Sequence, residues 1–185
     1  MIRRLPTLTI VALALAAPVA ASARAGGLAR LIAPPSACPH QRDGGEPAAT
    51  QERAMRCMTN YARRHAGRDR LHRSTALDRS ARSKAGDILR CDSFSHNACG
   101  RDFTYWIRRS GYISGGCWRA GENIAWGSGP YATVRSIFSA WIHSTGHREN
   151  ILSRDFRDFG VGLRVGTLQG TRDAHVWAGH FGARC

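Results

Sequence analysis

A polar segment pinned at both ends by apolar residues constrains this chain most: WIHSTGHRENIL, residues 141–152. Trp141 and Ile142 complete the apolar stripe of a helix, and Gly146 breaks it. Ile151 and Leu152 then return the chain to the interior, leaving His147, Arg148, Glu149 and Asn150 held between two anchors. A loop fixed by core residues on either side holds an imidazole at low entropic cost, as a binding or reacting site requires. Taken alone, His147 reads first as a buried polar group with a hydrogen-bond partner. Other residues have to decide between the two readings.

The N-terminus carries Arg3 and Arg4, an apolar run from Leu8 and small residues around Ala21, Ala23 and Ala25, the layout of a cleaved secretory signal. We therefore divide the chain into a signal peptide (1–25), an N-terminal arm or linker (26–49) and a folded domain (50–185). The product is expected outside the cytoplasm, secreted or otherwise extracytoplasmic. No later stretch approaches the roughly 18 apolar residues of a membrane span. All six cysteines follow the leader: Cys38, Cys57, Cys91, Cys99, Cys117 and Cys185. An even count in an exported chain predicts disulfides rather than thiol chemistry. Proximity favours Cys91 with Cys99; Cys38 with Cys57 and Cys117 with Cys185 complete the expected set.

The arm holds Pro34, Pro35, Pro39, Gly44, Gly45 and Pro47 and shows no apolar period, so it is expected to be extended and pinned by Cys38. Thr50 is placed to cap a helix running to about His65, with Met55, Met58 and Tyr61 or Ala62 on one side. Ser74 or Thr75 starts a second helix carrying Leu77, Ala81, Ala85, Ile88 and Leu89. A third, at about 102–110, buries Phe103, Trp106 and Ile107. GENIAWG (121–127) reads as a short buried strand with Glu122 at its entrance, where a carboxylate is costly to bury without a partner. Pro130 opens a helix with Val134, Ile137, Phe138, Trp141 and Ile142 in its stripe. Strands follow at 156–165 and 174–181, joined by a loop at 166–173. Helices followed by a late antiparallel hairpin indicate an α+β class, a layered α-β-α domain.

Among candidate chemistries, His143 and His147 share the four-residue spacing of helical zinc ligands, but Gly146 intervenes and no HExxH is present. Nucleophile-elbow, phosphate-loop and dinucleotide glycine patterns are absent. His96 lies between Cys91 and Cys99, where a bridge would clamp it in a short loop, and is a second candidate imidazole.

The chain carries FSH (94–96), GENIAWG (121–127), WIHSTGHRENIL (141–152), FGVGLRVG (159–166) and HVWAGHFG (175–182), in that order. In these motifs it resembles the bacterial branch of the CAP superfamily of cysteine-rich secretory, antigen five and pathogenesis-related proteins, also called SCP domains. The resemblance implies a three-layer α-β-α sandwich with a small, mainly antiparallel central sheet and a cleft holding two histidines and two acids. His96 resembles the first histidine, Glu122 the first acid and His147 the second histidine. The position of the other acid is filled here by Ser144, and Glu149 is the remaining carboxylate that could replace it. His96, His147 and Glu122 are thus the candidate holders of a divalent metal such as zinc.

The formal net charge is +14, and Lys84 is the sole lysine among its bases. Such a surface suits an anionic cell-envelope component or lipid, with no nucleic acid expected outside the cytoplasm. Three functions are consistent with these features. The first is a non-enzymatic module whose His/Glu cleft binds a lipid, glycan or peptide at the envelope. The second is a metal-assisted hydrolase or protease using His96, Glu122 and His147. The third is a structural or interaction domain.

Overall fold

The computed structural model describes residues 27–184; the expected signal peptide and Cys185 lie outside the described residues. Its elements are α1 (Ala48–His65), β1 (His72–Arg73), α2 (Thr75–Arg90), α3 (Thr104–Arg109), β2 (Trp118–Gly127), α4 (Val134–His143), α5 (Thr145–Leu152), β3 (Asp158–Leu168) and β4 (Thr171–Arg184). The sheet runs β1-β3-β4-β2, with β1 parallel to β3 and the other pairs antiparallel. Helices α1, α4 and α5 pack on one face with Trp177, Phe159 and Phe181. Helix α2 covers the other through Ala81, Ala85 and Ile88 against Ile124, Val176 and Ala178. The expected α+β sandwich with a small, mainly antiparallel sheet is the observed architecture.

Alternation along β4 makes the layering. Val176, Ala178 and His180 face α2, and Trp177 and Phe181 face α1 and α4. Helix α2 lies unusually close to β3, because Gly160 and Gly162 present no side chain to it. A Cβ on Gly160 would sit 2.2 Å from the carbonyl carbon of Leu77, and one on Gly162 2.2 Å from the backbone nitrogen of Arg82. Ser74 starts α2 as its cap, accepting the Leu77 N–H.

Several local expectations are corrected. Helix α1 begins at Ala48 behind Pro47, whose fixed φ suits a helix entry, so Thr50 lies inside the first turn and does not cap it. The arm is not extended: residues 30–47 are mostly turns, and Leu31, Ala33 and Cys38 are buried in the main core. The helix of 134–143 is broken at Ser144, not at Gly146, and residues 145–152 are a helix of their own. His143 and His147 therefore do not share a helix face. The expected loop at 166–173 is strand on both sides of a tight turn in which Leu168 pairs with Thr171. Gln169 and Gly170 both adopt positive φ there, as such hairpins require.

Disulfides join Cys38 to Cys57 and Cys91 to Cys99, as expected. Cys117 is also disulfide-bonded; the expected partner, Cys185, lies outside the described residues. Among the described residues no helix is long and apolar enough to cross a membrane.

Replacing Gly162 by Ala forces α2 off the sheet and is expected to lower stability by about 2–3 kcal/mol. Gly146→Ala meets open space within a helix and is expected to be neutral or to stabilise by up to about 1 kcal/mol. Urea midpoints of the two variants check the contrast; equal midpoints would remove the close approach as a constraint.

Candidate functional site

Glu122 is the centre of the site. Strand β2 pairs it directly across from His180 on β4, on the face that α2 covers. Its side chain is 1% exposed and both oxygens are engaged: Oε1 lies 2.6 Å from His96 Nδ1, and Oε2 lies 2.8 Å from His180 Nε2. The far nitrogen of His180 is 2.5 Å from the Ser80 hydroxyl of α2. An ionised carboxylate only accepts, so both imidazoles donate to it. The same logic puts a proton on Nδ1 of His96, whose side chain is 53% exposed.

Burial opposes ionisation of Glu122, but the hydrogen bonds from His180 and His96, together with the nearby Lys84 charge, outweigh it and hold the carboxyl below its ordinary range. Lys84, also buried, donates from Nζ to the His96 carbonyl at 2.6 Å. The loop carrying His96 is thus tied at its ends by Cys91–Cys99 and in its middle by the sole lysine of the chain. Burial lowers the Lys84 pKa, against the pull of Glu122, Asp87 and Asp102.

His147 approaches from the other face of the sheet. Helix α5 is laced to β2 by two asparagines: Asn123 Nδ2 donates to the His147 carbonyl at 3.0 Å, and Asn150 Nδ2 donates to Asn123 Oδ1 at 2.9 Å and to the Glu122 carbonyl at 3.2 Å. The His147 ring lies 6.5 Å from the Trp141 ring, centroid to centroid. Its pKa is depressed by burial and further by the neighbouring His96, so it is neutral over a wider pH range than a free histidine. Beside it runs a groove of about 280 Å³ lined by Phe94, Ile124, Trp126, Trp141 and Ser144.

Glu122 and His96 are therefore in contact, and His147 is close enough to feel His96. Ser144 lines the groove. Glu149 is exposed and makes no hydrogen bond or ion pair among the described residues, and the structure does not bring it to Glu122. Among the described residues no group of three or more His, Cys, Asp or Glu side chains is arranged to hold a metal ion. Each Glu122 oxygen accepts from one imidazole, which places the carboxylate directly behind Nδ1 of His96. His180, Ser80 and Lys84 are site residues that the sequence reading misses. A signal exists for two of them: Ser80, Lys84 and Asp87 form a polar stripe at spacings of four and three within a helix otherwise read by its apolar positions.

The sheet, the disulfides and this buried His/Glu cluster define a small, disulfide-braced α-β-α domain. The sequence matches the cysteine-rich secretory protein family, CAP, over residues 58–181, and the chain belongs to that family. It is 35% identical over 105 residues to the uncharacterized protein YkwD of Bacillus subtilis (strain 168), a match covering 57% of this chain and 39% of that protein. Its fold is similar to that of an extracellular protein containing an SCP domain from Bacillus anthracis str. Ames, with TM-score 0.61 and 22% identity over 75% of this chain and 41% of the other. It is also similar to an outer surface protein from Borrelia burgdorferi, with TM-score 0.58 and 17% identity over 71% of this chain and 90% of the other. The chain thus spans about two fifths of the length of the two Bacillus proteins.

The depressed histidines give a signed prediction. His147 and buried His175 both have folded pKa values below the ordinary histidine value, so the unfolded chain binds more protons as pH falls through roughly 6.5, and stability drops there. Glu122, held below its ordinary value, contributes stability present above the ordinary carboxylate range and lost as pH falls through it. Urea midpoints should therefore fall in two windows, and His147→Gln should flatten the upper one while leaving the lower. An unchanged upper slope would contradict the depression at His147.

Proposed function

We propose that this is an exported, non-enzymatic binding module of the cell envelope whose groove beside His147 takes a small or extended ligand. One observation carries this reading. The groove offers an apolar and aromatic wall (Phe94, Ile124, Trp126, Trp141) edged by Ser144 and by His147, whose pKa is depressed, while the buried carboxylate of Glu122 nearby accepts from two imidazoles. Such a surface suits a ligand that lays a hydrophobic or sugar face on the aromatics and places one polar group against the imidazole. Lipids, glycans and peptides all have members of that shape. Placement outside the cytoplasm is supported by the leader-like N-terminus, by the paired cysteines and by relatives described as extracellular or as outer surface proteins.

A second reading, a metal-assisted hydrolase, is favoured by one feature: a carboxylate behind Nδ1 of His96 is the arrangement that orients a metal-binding imidazole. His96 and His147 would hold the ion, with Glu122 fixing the former. A divalent metal there would polarise a substrate carbonyl or a water.

Fluorescence of Trp126 and Trp141 reads ligand entry directly. Titration with fatty acids, oligosaccharides and short peptides is expected to give a saturable shift with one class, weakened about tenfold or more by Trp126→Ala, which removes a half-buried wall residue. No shift with any class at millimolar concentration would end the binding reading. Chelator-sensitive hydrolysis abolished by His147→Ala would install the enzymatic one in its place.

A further inference from the structure

A second groove, of about 350 Å³, lies at the opposite edge of the sheet between α1 and β1. Arg53, Arg56 and Arg64 enter it from α1, at spacings of three and eight that keep them on one helix face. Arg70 and Arg73 enter from the chain around β1. Both walls are rigid. Asn60 of α1 grips the strand, donating from Nδ2 to the Leu71 carbonyl at 3.1 Å and accepting the Leu71 N–H at 2.8 Å. Cys57 in the same wall is bridged to Cys38, and Leu71 and Phe159, which also line the groove, are buried.

The charges in this groove do not balance. Asp78 receives both Arg56 (3.2 Å) and Arg73 (2.7 Å), and also accepts the Val161 N–H at 3.0 Å. One carboxylate therefore serves two guanidiniums. Arg53 bonds only the Thr50 hydroxyl, and Arg64 and Arg70 have no carboxylate partner among the described residues. Glu52 bears on Arg56, but it is paired with Arg82 and accepts the Leu163 N–H. Five guanidiniums thus share a concave surface with one carboxylate between them, an arrangement in which each like charge disfavours the others. Burial lowers the Arg56 pKa, Asp78 raises it, and Arg73 adds a smaller lowering, for a net depression.

We infer that this arginine groove is a binding site for phosphoryl groups, separate from the His147 groove. Guanidinium is a planar fork of donors that matches phosphate oxygens in pairs, and several forks converging on one hollow suit a multiply charged acceptor with oxygens on all sides. A monocarboxylate, with one charge and two oxygens, would satisfy one fork and leave the rest repelling. The site does not depend on what occupies the aromatic groove, since the two lie on opposite sheet edges.

The test uses the full chain and sodium tripolyphosphate in calorimetric titrations at about physiological ionic strength. Saturable one-to-one binding is expected, weakened about tenfold or more in Arg53→Ala/Arg64→Ala/Arg70→Ala. These three exposed residues make no ion pair among the described residues, and an unchanged thermal melt confirms folding. A charge-matched control, Arg42→Ala/Arg109→Ala/Arg172→Ala, removes three arginines outside the groove and is expected to stay within about twofold of the parent. Equal weakening in both triples, or no saturable binding by the parent, would overturn the site in favour of diffuse charge. Pelleting with phosphatidylglycerol vesicles but not phosphatidylcholine vesicles, lost in the groove triple alone, would identify a lipid headgroup as the source of the phosphate. Tripolyphosphate binding without pelleting would identify a soluble one.

Discussion

The close approach of α2 to the sheet is the constraint on which the rest depends. Two glycines two residues apart on β3 remove the side chains from one face of the strand, and the helix backbone settles where Cβ atoms would be. That depth matters because α2 carries polar groups as well as alanines. Ser80 reaches His180, and Lys84 reaches the carbonyl of His96. At an ordinary helix-sheet spacing these hydrogen bonds would stretch beyond useful geometry. His180 would then lose the hydroxyl that fixes its ring against Glu122. A buried polar group left without its partner costs about 1–3 kcal/mol. The glycines and the histidine cluster are therefore parts of one device.

Buried carboxylates also solve a topological problem. Strand β1 is two residues long and pairs only with the start of β3, so β3 would run on as an open edge with unmet N–H groups. Asp78 takes the Val161 N–H and Glu52 takes the Leu163 N–H, each carboxylate being neutralised by arginine. The other edge strand, β2, is closed differently. Asn150 donates to the Glu122 carbonyl, and the Trp141 indole lies 3.3 Å from that of Ile124. A sheet with both edges met by side chains has little to offer a neighbouring strand. It also explains why Asn123 and Asn150 stand in the two most recognisable motifs: they fasten α5 to β2.

Much of this is legible without coordinates. Apolar periodicity places the helices within a few residues, and the motif order points to the α-β-α layering. His96 and Glu122, 26 residues apart in sequence, do meet. The failures share a cause. Periodicity reports which side of an element is buried and says little about where a backbone turns. It therefore misplaces the break at Ser144 to Gly146, and it reads the tight turn at Gln169 and Gly170 as a long loop. His180 escapes it because the pairing with Glu122 comes from the β2–β4 register, which no local pattern encodes. Ser80 and Lys84 stay hidden in a helix read by its apolar positions alone.

The strand order puts the two grooves at the two ends of the sheet, and their chemistry differs as their surroundings do. At the β2 edge the polar groups are paired with one another: Glu122 accepts from two imidazoles, and His147, its pKa depressed, has aromatics beside it. Such a surface gains from desolvating an apolar ligand face and gives little attraction at a distance. At the β1 edge a single carboxylate is shared between guanidiniums and the excess charge is left unmet, so attraction acts over about a Debye length before contact. The two grooves differ in chemistry because they hang on opposite edges of the same sheet.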